Sequence, residues 1–180
     1  MAVSSEPFGW VGTSGLLPSG KTEAGGSLVT GAVGFTVPVA AQRLDTERIV
    51  LLNAMIPRPG ETPGDWFATA GAGPARISQA RQQGYPEEFT DEVYFFHDVP
   101  PSALIGPEPE QSDGIFESVA DFASWPDVPI TVLAGEDDRF FPFPFQDAQA
   151  QERLGLSAVP VPGGHLAGLA FPDDVTAALL

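Results

Sequence analysis

With no cysteine in the chain, disulfides, thiolate-held metals and a cysteine nucleophile are excluded, while the redox compartment stays open. Basic side chains are scarce as well: eight Lys and Arg stand against 24 Asp and Glu, for a formal net charge of −16. A surface of that sign repels phosphate backbones and anionic headgroups, which argues against nucleic acid and membrane surfaces as partners. Long apolar runs are missing. No stretch approaches the roughly 18 consecutive apolar residues that a spanning helix needs, and the amino terminus shows no basic segment leading into an apolar core. These absences predict a chain without membrane span or secretory signal, expected in the cytoplasm. The acidity speaks for solubility and selects no reaction.

What is present fits one globular domain, since 180 residues with 43% apolar content can bury a substantial core. Residues 1–32 stand apart: glycines, including Gly25-Gly26, are scattered there among Ser, Thr and Pro with little periodicity. That composition predicts loop or disorder, with 8–11 and 27–30 as short strand candidates. Residues 33–44 read as a helix with Pro38 in its first turns or at a kink. Residues 48–53 read as a strand, because Ile49, Val50, Leu51 and Leu52 are apolar in unbroken succession, as in a strand buried on both faces. The stretch 57–127 is rich in Pro, Gly, acids and aromatics, with helices predicted near 74–83, 89–98 and 114–124. Pro172-Asp173-Asp174 opens a last helix over 175–180, acids being favourable at its amino end.

The sharpest chemical signal lies in residues 129–165. Ile130, Thr131, Val132, Leu133 and Ala134 form a short apolar run that stops at Gly135, and Glu136-Asp137-Asp138 follows. Pro142 and Pro144 open a helical stretch reaching Arg153, with Gly155 suited to the position past its end. A second strand, 158–161, leads into Pro162-Gly163-Gly164-His165. A helix of about 12 residues and a strand of about 5 or 6 each cover about 18 Å, so the chain descends by the helix and returns by the strand. Asp138 and His165 thereby reach the carboxyl edge of one parallel sheet, where open α/β folds keep their sites. A carboxylate beside an imidazole fixes the ring's tautomer and stabilises the imidazolium formed when the ring takes a proton. This is two thirds of a catalytic triad.

GEDDRFFP, followed 27 residues after its last Asp by GGH, resembles the α/β-hydrolase fold enzymes. GFTVPVAAQ, RIVLLNAMIPRPGETPGDW and FFHDVPPSAL are similar to the small esterase-like members, and the resemblance spans roughly residues 33–180. It implies the carboxyl-terminal part of that fold: an α/β domain whose parallel sheet carries a helical cap at about 57–127. In the family the acid follows its strand as G-x-x-D, which selects Asp138 over Asp137, and the histidine is His165. Trp66, Phe67, Tyr85, Phe89, Tyr94, Phe95, Phe96, Phe116, Phe122 and Trp125 would line or support an apolar substrate cavity, although core packing accounts for most of them. The implied reaction is acyl transfer from a small ester or amide with an apolar part, without cofactor or metal. A serine would attack while His165 shuttles the proton and Asp138 orients it.

The family sets that serine in G-x-S-x-G on a strand-to-helix turn. No such pentapeptide occurs here. Gly31 stands at its expected place, and Ser14, Ser27 and Ser157 are partial matches without the closing glycine, Ser27 being the nearest in character. The alternative function is therefore a non-catalytic fragment or pseudo-enzyme that binds apolar ligands. Family-like sequence begins at residue 33, so an exposed sheet edge and self-association through it are expected.

Three other motifs compete. GLLPSGKT at 15–22 satisfies the P-loop pattern, but no buried strand precedes it. Glu23-Ala24-Gly25-Gly26 after it makes a poor helix, each glycine costing about 1 kcal/mol relative to alanine. His97-Asp98 could begin a metal site; with two histidines in the chain and no further ligand at helical spacing, it reads as a cap or pocket pair. Glu136-Asp137-Asp138 could hold a hard cation such as magnesium, but solvated turn acids plus one triad acid account for it better.

Overall fold

A computed structural model describes residues 26–104 and 113–179. The strand candidate at 8–11, Ser14 and the P-loop pattern at 15–22 lie outside the described residues. Four strands, β1 (Gly26–Gly31), β2 (Arg48–Ala54), β3 (Ile130–Gly135) and β4 (Val159–Val161), form one parallel sheet in the order β1-β2-β3-β4. Spatial order equals chain order, so each crossover moves the chain one strand across and every carboxyl end reaches the same edge. β1 takes in the candidate at 27–30, and the sheet therefore begins ahead of residue 33. The helices are α1 (Val37–Ala41), α2 (Pro63–Thr69), α3 (Ala72–Gln83), α4 (Asp91–Tyr94), α5 (Phe143–Leu154), α6 (Ala167–Ala170) and α7 (Pro172–Leu179).

β2 is buried from Ile49 through Ala54, and a strand apolar at successive positions needs cover on both faces. On one face Ile49, Leu51, Val132 and Ala134 pack with Val37 of α1 and Ala150 of α5. On the other, Val50, Leu52, Leu133 and Val161 meet Ala167 of α6 and Val175 of α7. A third cluster is largely aromatic and includes Met55, Trp66, Tyr94, Phe95, Phe140, Phe141 and Leu166. Met55 follows β2 and Phe140 follows β3, which puts this cluster at the carboxyl edge.

Local chemistry explains the helix ends. α2 opens on a reciprocal cap: Thr62 Oγ1 accepts the Asp65 N–H at 3.0 Å, and the Asp65 carboxylate accepts the Thr62 N–H at 3.3 Å. α5 carries Pro144 in its first turn and ends at Gly155, whose φ of 69° is the left-handed conformation of a helix stop. A charge pair between Arg153 of α5 and Glu61, with side chains only 3% and 12% exposed, ties that helix to the segment leaving β2.

Three stretches depart from the expectation. The helix expected over 33–44 divides into a 3-10 turn, Ala32–Phe35, and α1, with Pro38 in its first turn. A Cβ on Gly34 would strike the Met55 carbonyl, so the first piece is pinned against the exit of β2. The helix expected over 114–124 shrinks to a 3-10 turn, Asp113–Glu117. Ala120 instead donates to Glu61 O and accepts from Gly60 N–H, both at 2.9 Å, which consumes the backbone groups a helix would use. Over 89–98 only α4 is helical, capped by Thr90, whose Oγ1 accepts the Val93 N–H at 3.3 Å.

Candidate functional site

β3 and β4 end side by side, and backbone bonds carry the pairing past them. Glu136 N–H donates to Val161 O at 2.9 Å, and Asp137 N–H donates to Gly163 O at 3.0 Å. A Cβ on Gly135 would collide with the carbonyl oxygens of Gly163 and Gly164, so this close approach requires glycine. Gly163 holds a φ of 98°, which turns the chain toward His165.

Of the three acids after β3, Glu136 and Asp137 are exposed and Asp138 is fully buried. Its Oδ1 accepts the N–H groups of Phe140 and Phe141 at 2.8 and 2.9 Å, the local turn expected of an aspartate beginning a loop. Its Oδ2 lies 2.9 Å from His165 Nδ1 and accepts the Gln146 amide at 3.2 Å. Four donors around one carboxylate offset much of the cost of removing it from water. The hydrogen shared with Asp138 sits on Nδ1, because the acid already accepts on all sides. His165 Nε2 then carries the lone pair and can accept a proton. The imidazole, in a residue 8% exposed, is stacked on Phe95 at 4.9 Å and meets the edges of Phe140 and Phe141 at 5.1 and 5.2 Å.

Two amides missed in the sequence organise this edge. Asn53, fully buried with a φ of 48°, accepts the Gly135 N–H at 2.7 Å and donates to the carbonyls of Gly164 and His165, each at 2.9 Å. One side chain thus joins the ends of β2, β3 and the histidine turn. Gln146 of α5 donates to Asn53 Oδ1, Asp138 Oδ2 and Phe141 O at 3.1, 3.2 and 2.7 Å. The one clue to Asn53 was an apolar strand ending in a residue that tolerates positive φ; nothing in the spacing marked Gln146.

The remaining candidates fall as follows. His97 and Asp98 pack on the histidine turn, where Asp98 Oδ2 accepts the Gly164 N–H at 2.6 Å. Among the described residues no three His, Asp or Glu side chains converge as a metal site, there or at Glu136-Asp137-Asp138. Trp66, Tyr94, Phe95 and Phe122 are buried in the aromatic cluster, and Phe67, Tyr85, Phe89, Phe96 and Trp125 pack against it. Ser27 lies inside β1, opposite Ile49, four positions ahead of the strand's end. Ser157 precedes β4, at the opposite edge of the sheet. β1 ends at Gly31 and the 3-10 turn begins at Ala32. Gly34 is where only glycine clears Met55. If that glycine closes the pattern, the serine position falls two residues earlier, on Ala32 and not on Gly31.

No family model matches the chain, and no curated protein matches it. Solved structures do. A pyrethroid hydrolase from Sphingobium faniae JZ-2 superposes with a TM-score of 0.61 at 17% identity, over 86% of this chain and 68% of its own. Polyneuridine aldehyde esterase superposes with a TM-score of 0.59 at 14% identity, over 86% and 69%. An extracellular α/β-hydrolase from a Paenibacillus species gives 0.59 at 17%, over 86% and 69%. The chain therefore has the α/β-hydrolase fold and spans about 70% of the length of these structures.

Proposed function

We propose that the chain carries the acid and base of a hydrolase that cleaves small esters or amides with an apolar part by acyl transfer. The observation that carries this reading is the 2.9 Å contact of His165 Nδ1 with the fully buried Asp138 carboxylate. The acid holds the ring in one tautomer, leaves Nε2 free to take a proton, and stabilises the imidazolium that results. The aromatic rings around the imidazole suit a substrate with an apolar part. The esterase and hydrolase names of the structural neighbours support the same class.

Among the described residues no serine stands at the turn from β1, where the nucleophile of this reaction is needed. Gly31 and Ala32, at the turn from β1, bring no hydroxyl, so the acylation step has no proton for His165 to accept. Catalysis by the chain as written is confined to His165 acting as a general base on water, toward activated esters only. The test treats the purified chain with a serine-directed phosphonate probe, read by intact mass, beside hydrolysis of nitrophenyl acetate. Expected are no adduct and a slow hydrolysis that disappears in His165→Ala. Stoichiometric labelling of Ser27, lost in Ser27→Ala and accompanied by turnover, would overturn the assignment, and so would equal rates in wild type and His165→Ala.

The missing hydroxyl also favours a second reading, a protein that binds apolar ligands without turning them over. Tight binding of an aryl ester, undiminished in His165→Ala and without hydrolysis, would select it.

A further inference from the structure

Gln146 does more at the acid than fill space. It lies in the first turns of α5, 4% exposed, and its nitrogen has three oxygens in reach: Phe141 O at 2.7 Å, Asn53 Oδ1 at 3.1 Å and Asp138 Oδ2 at 3.2 Å. Three acceptors fix which way the amide faces, because its oxygen turned toward them would meet only lone pairs. That oxygen, Oε1, is buried with no hydrogen-bond partner. An unpaired buried acceptor costs stability that a methionine of similar shape would not, so the side chain is held for what it donates.

An amide nitrogen has two hydrogens for these three oxygens. The shortest contact, that to Phe141 O, takes one. The second lies between Asn53 Oδ1 and Asp138 Oδ2; two contacts of nearly equal length, both longer than the first, are what one shared hydrogen gives. Of these two acceptors Asp138 carries the charge and draws the hydrogen more strongly. Removing it would leave the carboxylate where it is, because Oδ1 still accepts from Phe140 and Phe141 at 2.8 and 2.9 Å and Oδ2 still meets His165 Nδ1 at 2.9 Å. What changes is how much of its charge Oδ2 has left for the imidazole.

We infer that Gln146 sets the strength with which Asp138 holds His165: by placing a hydrogen on Oδ2, the oxygen that faces the imidazole, it weakens the pull of the acid on the ring. It touches no reacting atom and works through Asp138, so it is a positioning residue and not a catalytic one. Its purpose, and only its purpose, rests on the hydrolase reading. There the ring takes a proton in one step and returns it in the next, and an acid that held the imidazolium too tightly would slow the return.

Proton NMR of the shared His165 Nδ1–H reads the bond without any turnover, so a chain with no esterase activity does not blunt the test. The signal is assigned by its loss in His165→Ala. Gln146→Met keeps the shape and removes the donor; Oδ2 then draws the proton further from the ring, and the resonance should move downfield. Gln149, a second buried glutamine one turn along α5, supplies the control, and Gln149→Met should leave the resonance in place. In the wild type both side-chain N–H hydrogens of Gln146 should exchange with solvent at least about tenfold more slowly than those of the exposed Gln83. An unmoved or upfield resonance in Gln146→Met, the same shift in Gln149→Met, or a Gln146 hydrogen exchanging as fast as those of Gln83 would each overturn the inference. Should Gln146→Met fail to fold, the exchange of the two hydrogens in the wild type decides it alone.

Discussion

Replacing Asn53 by aspartate keeps its size and its tolerance of positive φ and reverses one function, that of its amino group. In the folded chain this group donates to Gly164 O and His165 O at 2.9 Å, while the oxygen accepts the Gly135 N–H at 2.7 Å. A carboxylate would keep the last bond and set a charged oxygen against two carbonyls at a position with no solvent access. Taking up a proton relieves this, since the O–H so formed satisfies one of the two carbonyls. The carboxyl is therefore raised in the folded state above its unfolded value of about 3.9. Between the two values the folded chain binds more protons than the unfolded chain, so stability falls as pH rises, by up to about 1.4 kcal/mol per pH unit. Below about pH 4 both states are protonated, and one lost hydrogen bond, about 1 kcal/mol, is all that separates Asn53→Asp from wild type. A rise of about three units would cost about 4 kcal/mol at neutrality, a large part of the roughly 5–15 kcal/mol of a whole domain. Urea unfolding between pH 4.5 and 7.5 measures it, as a midpoint gap between variant and wild type that widens with pH. A gap equal at both ends would refute the reasoning. Asn53→Leu takes the side-chain partner from Gly135 N–H and His165 O, leaves Gly164 O with the Ala167 N–H alone, and adds left-handed strain, about 1–2 kcal/mol, so it should be unstable at every pH.

Burial depresses the His97 imidazole, so the folded chain binds fewer protons than the unfolded one as pH falls below about 6.5. The stability present above that value drains away under acid; His97→Gln should flatten this arm of the urea-midpoint profile from pH 7.5 to 5.5, and an unchanged slope would contradict it. Arg153→Ala strands Glu61 and the Ile56 carbonyl, to which Arg153 donates at 2.7 Å, and should cost about 3–5 kcal/mol in urea unfolding. Arg153→Met combined with Glu61→Gln should recover most of that loss; a double variant no better than Arg153→Ala would show that the charge pair is not the cause. Ala32→Ser should take up one phosphonate adduct by intact mass and Gly31→Ser none, and the reverse would return the nucleophile position to Gly31. Labelled or not, Ala32→Ser should turn over esters poorly, because loss of one oxyanion donor costs about 100-fold to 1,000-fold and position 32 supplies by itself only the amide that follows it.

What could be read in advance was what depends on composition along the chain. β2 and β3 announce themselves because a strand covered on both faces must be apolar at successive positions, and Ile49–Leu52 and Ile130–Ala134 are. That the acidic turn after β3 and His165 meet at one edge followed from lengths, since a helix and a strand of equal reach return the chain to the edge it left, while the choice of Asp138 among the acids came from the resemblance. β1 was only a candidate: its bounding residues, Gly26 and Gly31, resemble in composition the glycine-rich sequence before it, and what makes it a strand is the backbone of β2 lying beside it. The failed helix at 114–124 has the same cause in reverse, because Ala120 finds its partners at Gly60 and Glu61, far away in sequence.

The two amides were illegible for a deeper reason. Apolar strands carry no polar side chains with which to satisfy the backbone groups left over where the sheet stops, and at a buried edge those groups cannot turn to water. Some polar side chain must therefore be taken out of water at each strand end. β2 carries Asn53 one residue before its end and β3 is followed by Asp138; Asn53 is spent on a backbone N–H and on carbonyls, Asp138 partly on backbone N–H groups. A sequence shows that such a residue is present, but not which backbone group it reaches, because Asn53 and Gly164 are separated by 111 positions. The histidine turn is the place where these obligations meet. Gly164 offers its carbonyl to Asn53 and its N–H to Asp98, so a scaffold that must satisfy its strand ends also orients the imidazole next to them. The orientation of His165 toward Asp138 is thus supported by bonds the fold requires in any case, and it persists in a chain that brings no hydroxyl at Gly31 or Ala32 for the ring to activate.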